Sequence, residues 1–149
     1  MDGTKHNTCL TPEDMLCFDV YALNQAFNRV YKPLLDPLGL TYPQYLVMTV
    51  LWDVSPVSVG QIGSRLGLAT STLTPVLKRL EGQGLIHRRR SAEDERRVDI
   101  SLTGEGRALA ERATNVSACV LDATGMSLDD VNRLRGDLAT LRDAMNASV

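Results

Sequence analysis

Three cysteines are the side chains of this sequence best suited to redox chemistry, because a thiolate can attack a peroxide and then form a disulfide. Cys17 lies one position from an apolar helical stripe, so we expect it at the edge of a buried seam. Cys119 lies beside Val116 and Val120, and it is either a small core residue or a resolving thiol. Cys9 lies in a polar N-terminal segment and is expected to be a bystander.

Tyrosine hydroxyls could stabilise a thiolate at Cys17 by hydrogen bonding. Tyr21 lies one helical turn away and can reach it within one chain. Tyr31 cannot, because fourteen residues of helix span about 21 Å. If Tyr31 and Tyr42 donate to Cys17, they must therefore come from a second subunit, or the helix must fold back. We expect no help from a helix dipole, since a helix that begins at Pro12 leaves Cys17 beyond its first turn.

A second set of residues has the chemistry of DNA recognition. Ser58 and Gln61 form the capping box of one short helix. The apolar spacing over Leu73–Leu80 indicates a second helix, which could begin as late as Thr72 because Pro75 is tolerated only near a helix start. Its opposite face offers short hydroxyls for base edges and cations for phosphates. These candidate DNA-binding residues are Thr70, Ser71, Thr72, Thr74, Lys78 and Arg79.

Two segments with the alternation of strands follow, joined by a charged turn, at 85–90 and 97–102. We interpret them as the wing of a winged helix-turn-helix over residues 57–102. Arg96 lies at the tip, where it could enter a narrow minor groove. Asp94 could hold the Arg96 guanidinium by a bidentate pair. Arg88 and Arg90 on the first strand complete the predicted DNA-binding set.

The charge distribution fits a basic DNA-binding surface on an acidic body. The 149 residues carry a net charge of −2. Residues 57–102 hold eight basic and five acidic side chains, net +3, so the remainder carries −5. The length and a hydrophobic content of 44% predict one globular unit.

Several function classes find no support in the sequence. Two histidines, His6 and His87, are too few for a metal cluster, and no phosphate-binding glycine loop or Ser/His/Asp set is visible. We therefore predict neither a metal, nor a cofactor, nor an enzyme. The first residues lack the apolar stretch of a signal peptide, and no apolar run approaches membrane-spanning length. We expect a cytoplasmic protein with reduced cysteines and no membrane partner.

The flanking segments, 13–52 and 103–146, are predicted to be dimerisation helices. The first apolar stripe, Leu16–Val30, should end at Pro33 and Pro37. Further helical stripes occupy three places: Thr41–Trp52, Leu109–Val120 and Val131–Met145, the last capped by Ser127. A single winged helix has no room to bury all of them, so we expect a homodimer. Its recognition helices would meet half-sites of a pseudo-palindromic operator about 34 Å apart. The predicted fold is therefore mostly α with a small β wing.

The order of helices and wing, with Asp94–Arg97 at the wing, resembles the MarR family of bacterial repressors. Three segments, Leu16–Phe18, Tyr31–Tyr42 and Leu73–Glu81, are similar to the organic-hydroperoxide-resistance (OhrR) branch of that family. The resemblance implies a repressor of double-stranded operator DNA, released when an organic hydroperoxide oxidises Cys17. It also implies that Tyr31 and Tyr42 reach Cys17 across the dimer. Ala69–Ser71 departs from the Asp-Ser-Gly that is more frequent in the family, which leaves the operator sequence open.

Three functions remain open at this stage. One is the hydroperoxide-sensing repressor. Another is a MarR-like repressor released by an aromatic acid, with Cys17 as a structural residue. The third is a thiol peroxidase, for which an arginine-tipped wing has no use. For the sensor we expect a disulfide from Cys17 to Cys119 of the other subunit, with a sulfenic acid or small-thiol adduct as the alternative.

Overall fold

The computed structural model describes residues 11–149, so Cys9 and His6 lie outside the described residues. It is mostly helical with one small sheet, which confirms the predicted fold class. The helices are α1 (Leu16–Leu35), α2 (Tyr42–Asp53), α3 (Val59–Leu66), α4 (Thr70–Gly82), α5 (Gly104–Ala113), α6 (Val116–Ala123) and α7 (Leu128–Ala147). The strands are β1 (Val57–Ser58), β2 (Ile86–Arg90) and β3 (Val98–Leu102).

The three strands form an antiparallel sheet in the order β1-β3-β2. β2 and β3 are the two predicted wing strands, and Arg88 pairs with Ile100 across them. β1 was not predicted, because two residues are too short to show an alternation. Val57 of β1 also pairs with Ile100, whose side chain is fully buried. The central strand therefore fastens the wing to the start of α3.

The helix-turn-helix forms as its local signals predict, with one correction. Ser58 and Gln61 make the capping box of α3. α4, however, begins at Thr70 rather than as late as Thr72, and Pro75 is its sixth residue. Pro75 has no N–H to donate to the Ser71 carbonyl, but Ser71 is exposed and water can replace that bond. Helical geometry persists because the apolar face is fully buried, at Leu73, Leu77 and Leu80.

α1 differs from its prediction at both ends. A 3₁₀ turn occupies Pro12–Asp14, and Met15 then has extended backbone angles, so α1 begins only at Leu16. Pro33 lies inside α1, which ends at Leu35, contrary to the expected end at Pro33. Leu35 is 2% exposed, and its burial accounts for the continuation of the helix past the proline.

The core surrounds α2, which is the predicted helix capped by Thr41. Val47, Met48 and Leu51 are at most 1% exposed and pack with the apolar faces of α3, α4 and the sheet. The predicted stripe over Leu109–Val120 is divided between α5 and α6 by a break at Thr114 and Asn115. Leu109, Ala113 and Val116 are buried in this same core and need no second copy, contrary to the expectation, whereas Val120 is buried beside α1 and α7.

The stripes of α1 and α7 remain largely exposed on the single chain. Their exposed members include Leu16, Val20, Leu23, Phe27, Leu134, Leu138 and Met145. Within residues 11–149, none of the helices combines the length and apolar character needed to cross a membrane. The same residues contain no cluster of three or more histidine, cysteine, aspartate or glutamate side chains placed to hold a metal ion.

Candidate DNA interface and thiol site

The N-terminal half of α4 presents the predicted short hydroxyl side chains. Thr70, Ser71 and Thr72 are exposed, and Thr74 is half-buried with its hydroxyl donating to the Thr70 carbonyl at 2.8 Å. Ala69, the N-cap, has no side chain that could satisfy the first N–H groups of α4. Free N–H groups at a helix start favour a bound phosphate. Lys78 and Arg79 are exposed further along the same helix.

A cleft of about 440 Å³ lies where the start of α3, the start of α4 and the wing meet. Three arginines line it, Arg88, Arg96 and Arg97, together with Thr70 and Thr74. Within the described part of the chain, the Nε atom of Arg88 is buried without a hydrogen-bond partner. Guanidinium groups bind phosphate oxygens in pairs of hydrogen bonds. The cleft can therefore hold a backbone phosphate between the recognition helix and the wing.

The wing tip is held differently from the prediction. The Asp94 carboxylate accepts a hydrogen bond from the backbone N–H of Arg96 at 3.0 Å, and not from its guanidinium. The Arg97 N–H donates to the Asp94 carbonyl at 2.9 Å. A short carboxylate reaches a backbone N–H two residues ahead more readily than the end of a long side chain. Asp94 therefore fixes the turn, and the Arg96 guanidinium is left to line the cleft.

Arg97 is a residue that the sequence analysis missed. Its Nε donates to Asp99 at 2.9 Å and its Nη2 to the Gln61 amide oxygen at 3.4 Å. Gln61 also accepts hydrogen bonds from the backbone N–H and the hydroxyl of Ser58. Arg97 therefore ties the wing to the capped start of α3. The available signal was the i, i+2 spacing of Arg97 and Asp99, which places both on one face of a strand.

Cys17 is exposed and occupies the second position of α1. This corrects the expectation that it lies beyond the first helical turn. Unpaired N–H groups and the helix dipole stabilise an anion in a first turn. Tyr21, one turn further on, is exposed, and its hydroxyl accepts a hydrogen bond from Gln25 at 3.3 Å. Among the described residues, none is hydrogen-bonded to the Cys17 sulfur, so a role for Tyr21 stays a prediction.

Tyr31 and Tyr42 lie together, with their ring centroids 4.7 Å apart. The 3₁₀ turn Asp36–Leu38 and the left-handed Gly39 reverse the chain between them. Cys17 of the same chain is not part of this pair, because α1 is continuous from Cys17 to Tyr31 and separates them by about 21 Å.

Burial moves the ionisation of these tyrosines further above neutral pH. It raises the pKa of Tyr31 to about 12, with smaller contributions from Tyr42 and Tyr45. Burial also raises the pKa of Tyr42 and of Tyr45. At neutral pH each of these hydroxyls retains its hydrogen and can donate it to an anion.

Cys119 is exposed on α6, whereas Val116 and Val120 of the same helix are buried. The interpretation of Cys119 as a core residue is therefore wrong for this chain. Its thiol is available to a reaction partner that approaches from outside the subunit.

We expect a tyrosine that ionises near pH 12 in the folded chain, and its loss in Tyr31→Phe. The ordinary pKa is 10.0, so the folded state holds this proton more tightly than the unfolded state. The free energy of unfolding should therefore fall as the pH rises from about 10 to about 12. Tyrosinate absorbance during a pH titration measures the ionisation, with Tyr21→Phe as the control that keeps the step. Persistence of the step in Tyr31→Phe would contradict the assignment.

Comparison with known proteins agrees with this geometry. A sequence model of the MarR family matches residues 40–98. The chain is 45% identical over 134 residues to the organic hydroperoxide resistance transcriptional regulator of Bacillus subtilis (strain 168), covering 90% of this chain and 91% of that protein.

Solved structures of AbfR share the fold. The reduced protein bound to DNA has a TM-score of 0.76 at 34% identity, covering 87% of this chain and 91% of that chain. The disulfide-formed protein has a TM-score of 0.61 at 32% identity, covering 89% and 88%. With its winged helix-turn-helix and arginine-lined cleft, this chain belongs to the MarR family of DNA-binding transcriptional regulators, which are not enzymes.

Proposed function

We propose that this regulator is a homodimeric repressor that releases its operator when an organic hydroperoxide oxidises Cys17. The observation that carries the proposal is the position of Cys17, an exposed thiol in the first turn of α1 beside an apolar stripe that the single chain leaves uncovered. Its likeness to a hydroperoxide resistance regulator supports the choice of oxidant class.

Dimer formation follows from the uncovered apolar surface. The exposed stripes of α1 and α7 border an apolar cleft of about 330 Å³, whose lining includes Leu23, Phe27, Leu134 and Leu138. Monomeric proteins rarely expose continuous apolar surface of this kind. A second copy that covers both stripes would bring Cys17 to the subunit boundary.

The dimer also supplies tyrosine hydroxyls to Cys17, because α1 separates Cys17 from Tyr31 and Tyr42 of its own chain. Tyr31 and Tyr42 of the partner subunit would donate hydrogen bonds to the Cys17 thiolate, while the first turn of α1 adds its free N–H groups. The pairing of the two rings, 4.7 Å apart, favours this role, because it places both hydroxyl-bearing side chains at one place on the partner. Reactivity and assembly would then be linked, since neither subunit completes the site alone.

The oxidation step is a two-electron exchange. The Cys17 thiolate attacks one peroxide oxygen, the O–O bond breaks, and a sulfenic acid forms. The alkoxide that leaves takes up a proton and departs as an alcohol. The sulfur has then lost two electrons, and the peroxide has gained them.

A second step would join the subunits through Cys119. The Cys119 thiolate of the partner subunit attacks the sulfenic sulfur, an S–S bond forms, and hydroxide leaves and is protonated to water. The exposure of Cys119 on α6 supports this step. AbfR supplies a parallel, since both a reduced DNA-bound form and a disulfide form of it exist.

DNA binding would use the two copies of α4 in successive major grooves. Arg96 would extend from the cleft into the minor groove, and the other two arginines of the cleft, Arg88 and Arg97, would hold the phosphates between the two grooves. Operator release then requires only that oxidation change the spacing of the two recognition helices. A regulator of this kind acts at the chromosome, in the bacterial cytoplasm.

Arg96→Ala should weaken operator binding by about 1–3 kcal/mol, because the minor-groove contact is lost. Asp94→Ala should weaken it less, by loosening the turn that Asp94 closes, and Asp94→Asn should retain most of the affinity because its amide oxygen still accepts the Arg96 N–H. Fluorescence anisotropy at one fixed salt concentration measures each Kd. Arg107→Ala, the same charge change on exposed α5, is the control. Unchanged binding by Arg96→Ala would remove the wing from the recognition surface.

Cys17→Ser should fold, dimerise and bind the operator, yet keep it in the presence of cumene hydroperoxide. Serine has nearly the same size but cannot form a sulfenic acid. Tyr31→Phe and Tyr42→Phe should slow the oxidation, because each removes a donor to the thiolate. Gel shifts follow the release, and mass spectrometry follows the mass of the Cys17 peptide. Release by the wild type while Cys17 stays unmodified would favour an aromatic-acid ligand as the signal.

Stoichiometric peroxide should produce a covalent dimer on a non-reducing gel. The band should be absent in both Cys17→Ser and Cys119→Ser, because each lacks one sulfur of the intersubunit bond. Cys9→Ser is the matched control and should still form the band. Full operator release with only a monomer band would assign the signal to a sulfenic acid or a small-thiol adduct instead.

A further inference from the structure

Gln83 joins the end of the recognition helix to the segment between Tyr31 and Tyr42. It is the C-cap of α4, and its Nε2 donates to the Gly39 carbonyl at 2.7 Å. Its Oε1 accepts a hydrogen bond from Gln44 Nε2 at 3.2 Å. Among the hydrogen bonds of the described residues, these two are the side-chain bonds that join α4 or its cap to the α1–α2 connection and to the first turn of α2.

Gln44 restricts the movement of Gln83 relative to the first turn of α2. It is 4% exposed, and its Oε1 accepts the backbone N–H of Thr41 at 2.9 Å in the capping box of α2. Its amide nitrogen donates a hydrogen bond to the side-chain oxygen of Gln83. A buried amide that loses its partner costs free energy, so Gln83 would follow a displacement of this first turn. That turn includes Tyr42, the first residue of α2.

The connection between α1 and α2 is held from a second side as well. Arg112 of α5 donates to the Pro37 carbonyl at 2.6 Å, and Leu40 is buried at 4% exposure. Gly39 adopts the left-handed conformation, with φ of 68°. A segment fastened in this way passes a displacement on to its partners more readily than a free loop does.

α4 can turn such a displacement into a change at the DNA. It spans thirteen residues, or about 20 Å, and its exposed hydroxyls lie at the end opposite Gln83. Leu73, Leu77 and Leu80 anchor its middle in the core. A shift at the C-terminal end would therefore tilt the N-terminal end within the major groove.

We propose that Gln83 is a positioning residue that couples the Tyr31–Tyr42 pair to the recognition helix, so that a displacement of the pair on oxidation of Cys17 moves α4. This inference rests on the proposed function. Gln83 transmits the signal and does not detect the peroxide, so the rate of Cys17 oxidation should not depend on Gln83.

The test compares the operator Kd before and after stoichiometric cumene hydroperoxide in the full-length dimer. Gln83→Ala should lower the ratio of oxidised to reduced Kd by about fivefold or more relative to the wild type, at an unchanged rate of Cys17 oxidation by mass spectrometry. Gln83→Glu should behave alike, because a carboxylate can accept from Gln44 but cannot donate to the Gly39 carbonyl. Gln83 is exposed, so both variants should fold. Glu81→Ala, a neighbouring exposed residue, is the control and should keep the wild-type ratio.

Each contrary result has its own meaning. A wild-type response together with unchanged ratios in both Gln83 variants would overturn the coupling role alone. A wild type that ignores peroxide would overturn the proposed function, and the coupling role with it. An equal loss in Glu81→Ala would show a general weakening of the helix end, and slower Cys17 oxidation at an unchanged ratio would place Gln83 in detection. Both of these would also overturn the coupling role.

Discussion

The length of α1 is the constraint on which the rest of the arrangement depends. Twenty residues of continuous helix, about 30 Å, hold Cys17 and Tyr31 at opposite ends of one rigid element. A thiol site that uses both ends can therefore exist only between two chains. The uncovered stripes on α1 and α7 supply the apolar surface for that association. In the proposed dimer, one interface would set detection, assembly and the spacing of the recognition helices, so that a small covalent change could act on DNA at a distance.

The DNA-binding half is held as one body by a small number of specific contacts. The core around α2 fixes α4 by its buried leucines, and the central strand fastens the wing to the start of α3. Arg97 adds a polar tie between the same two elements through Asp99 and Gln61. The wing strands and α4 share one hydrophobic core, so a tilt of α4 that displaced the wing would also move the arginine-lined cleft, and base and phosphate contacts would be lost together.

Most of the fold could be predicted from the sequence, and the errors share a physical origin. The Ser58–Gln61 capping box, the wing strands and the apolar face of α4 follow from contacts within a few residues, and they were found. The errors lie where distant packing outweighs local preference. Pro33 and Pro75 remain inside helices because buried leucines hold the turns around them, Leu35 after Pro33 and Leu73 and Leu77 on either side of Pro75. β1 is a strand only because β3 lies beside it.

By itself, the sequence determined the residue types of the site: an unpaired thiol, tyrosine donors and an arginine-tipped wing on a helix-turn-helix. These depend on composition and short-range periodicity, which one chain displays without folding. Only the tertiary structure decided their relations. It placed Cys17 in a first helical turn, exposed Cys119, and set Gln83 against Gly39. Each of these depends on where a helix begins or on contacts between residues far apart in the sequence. Packing of the whole core determines both, and residue spacing does not.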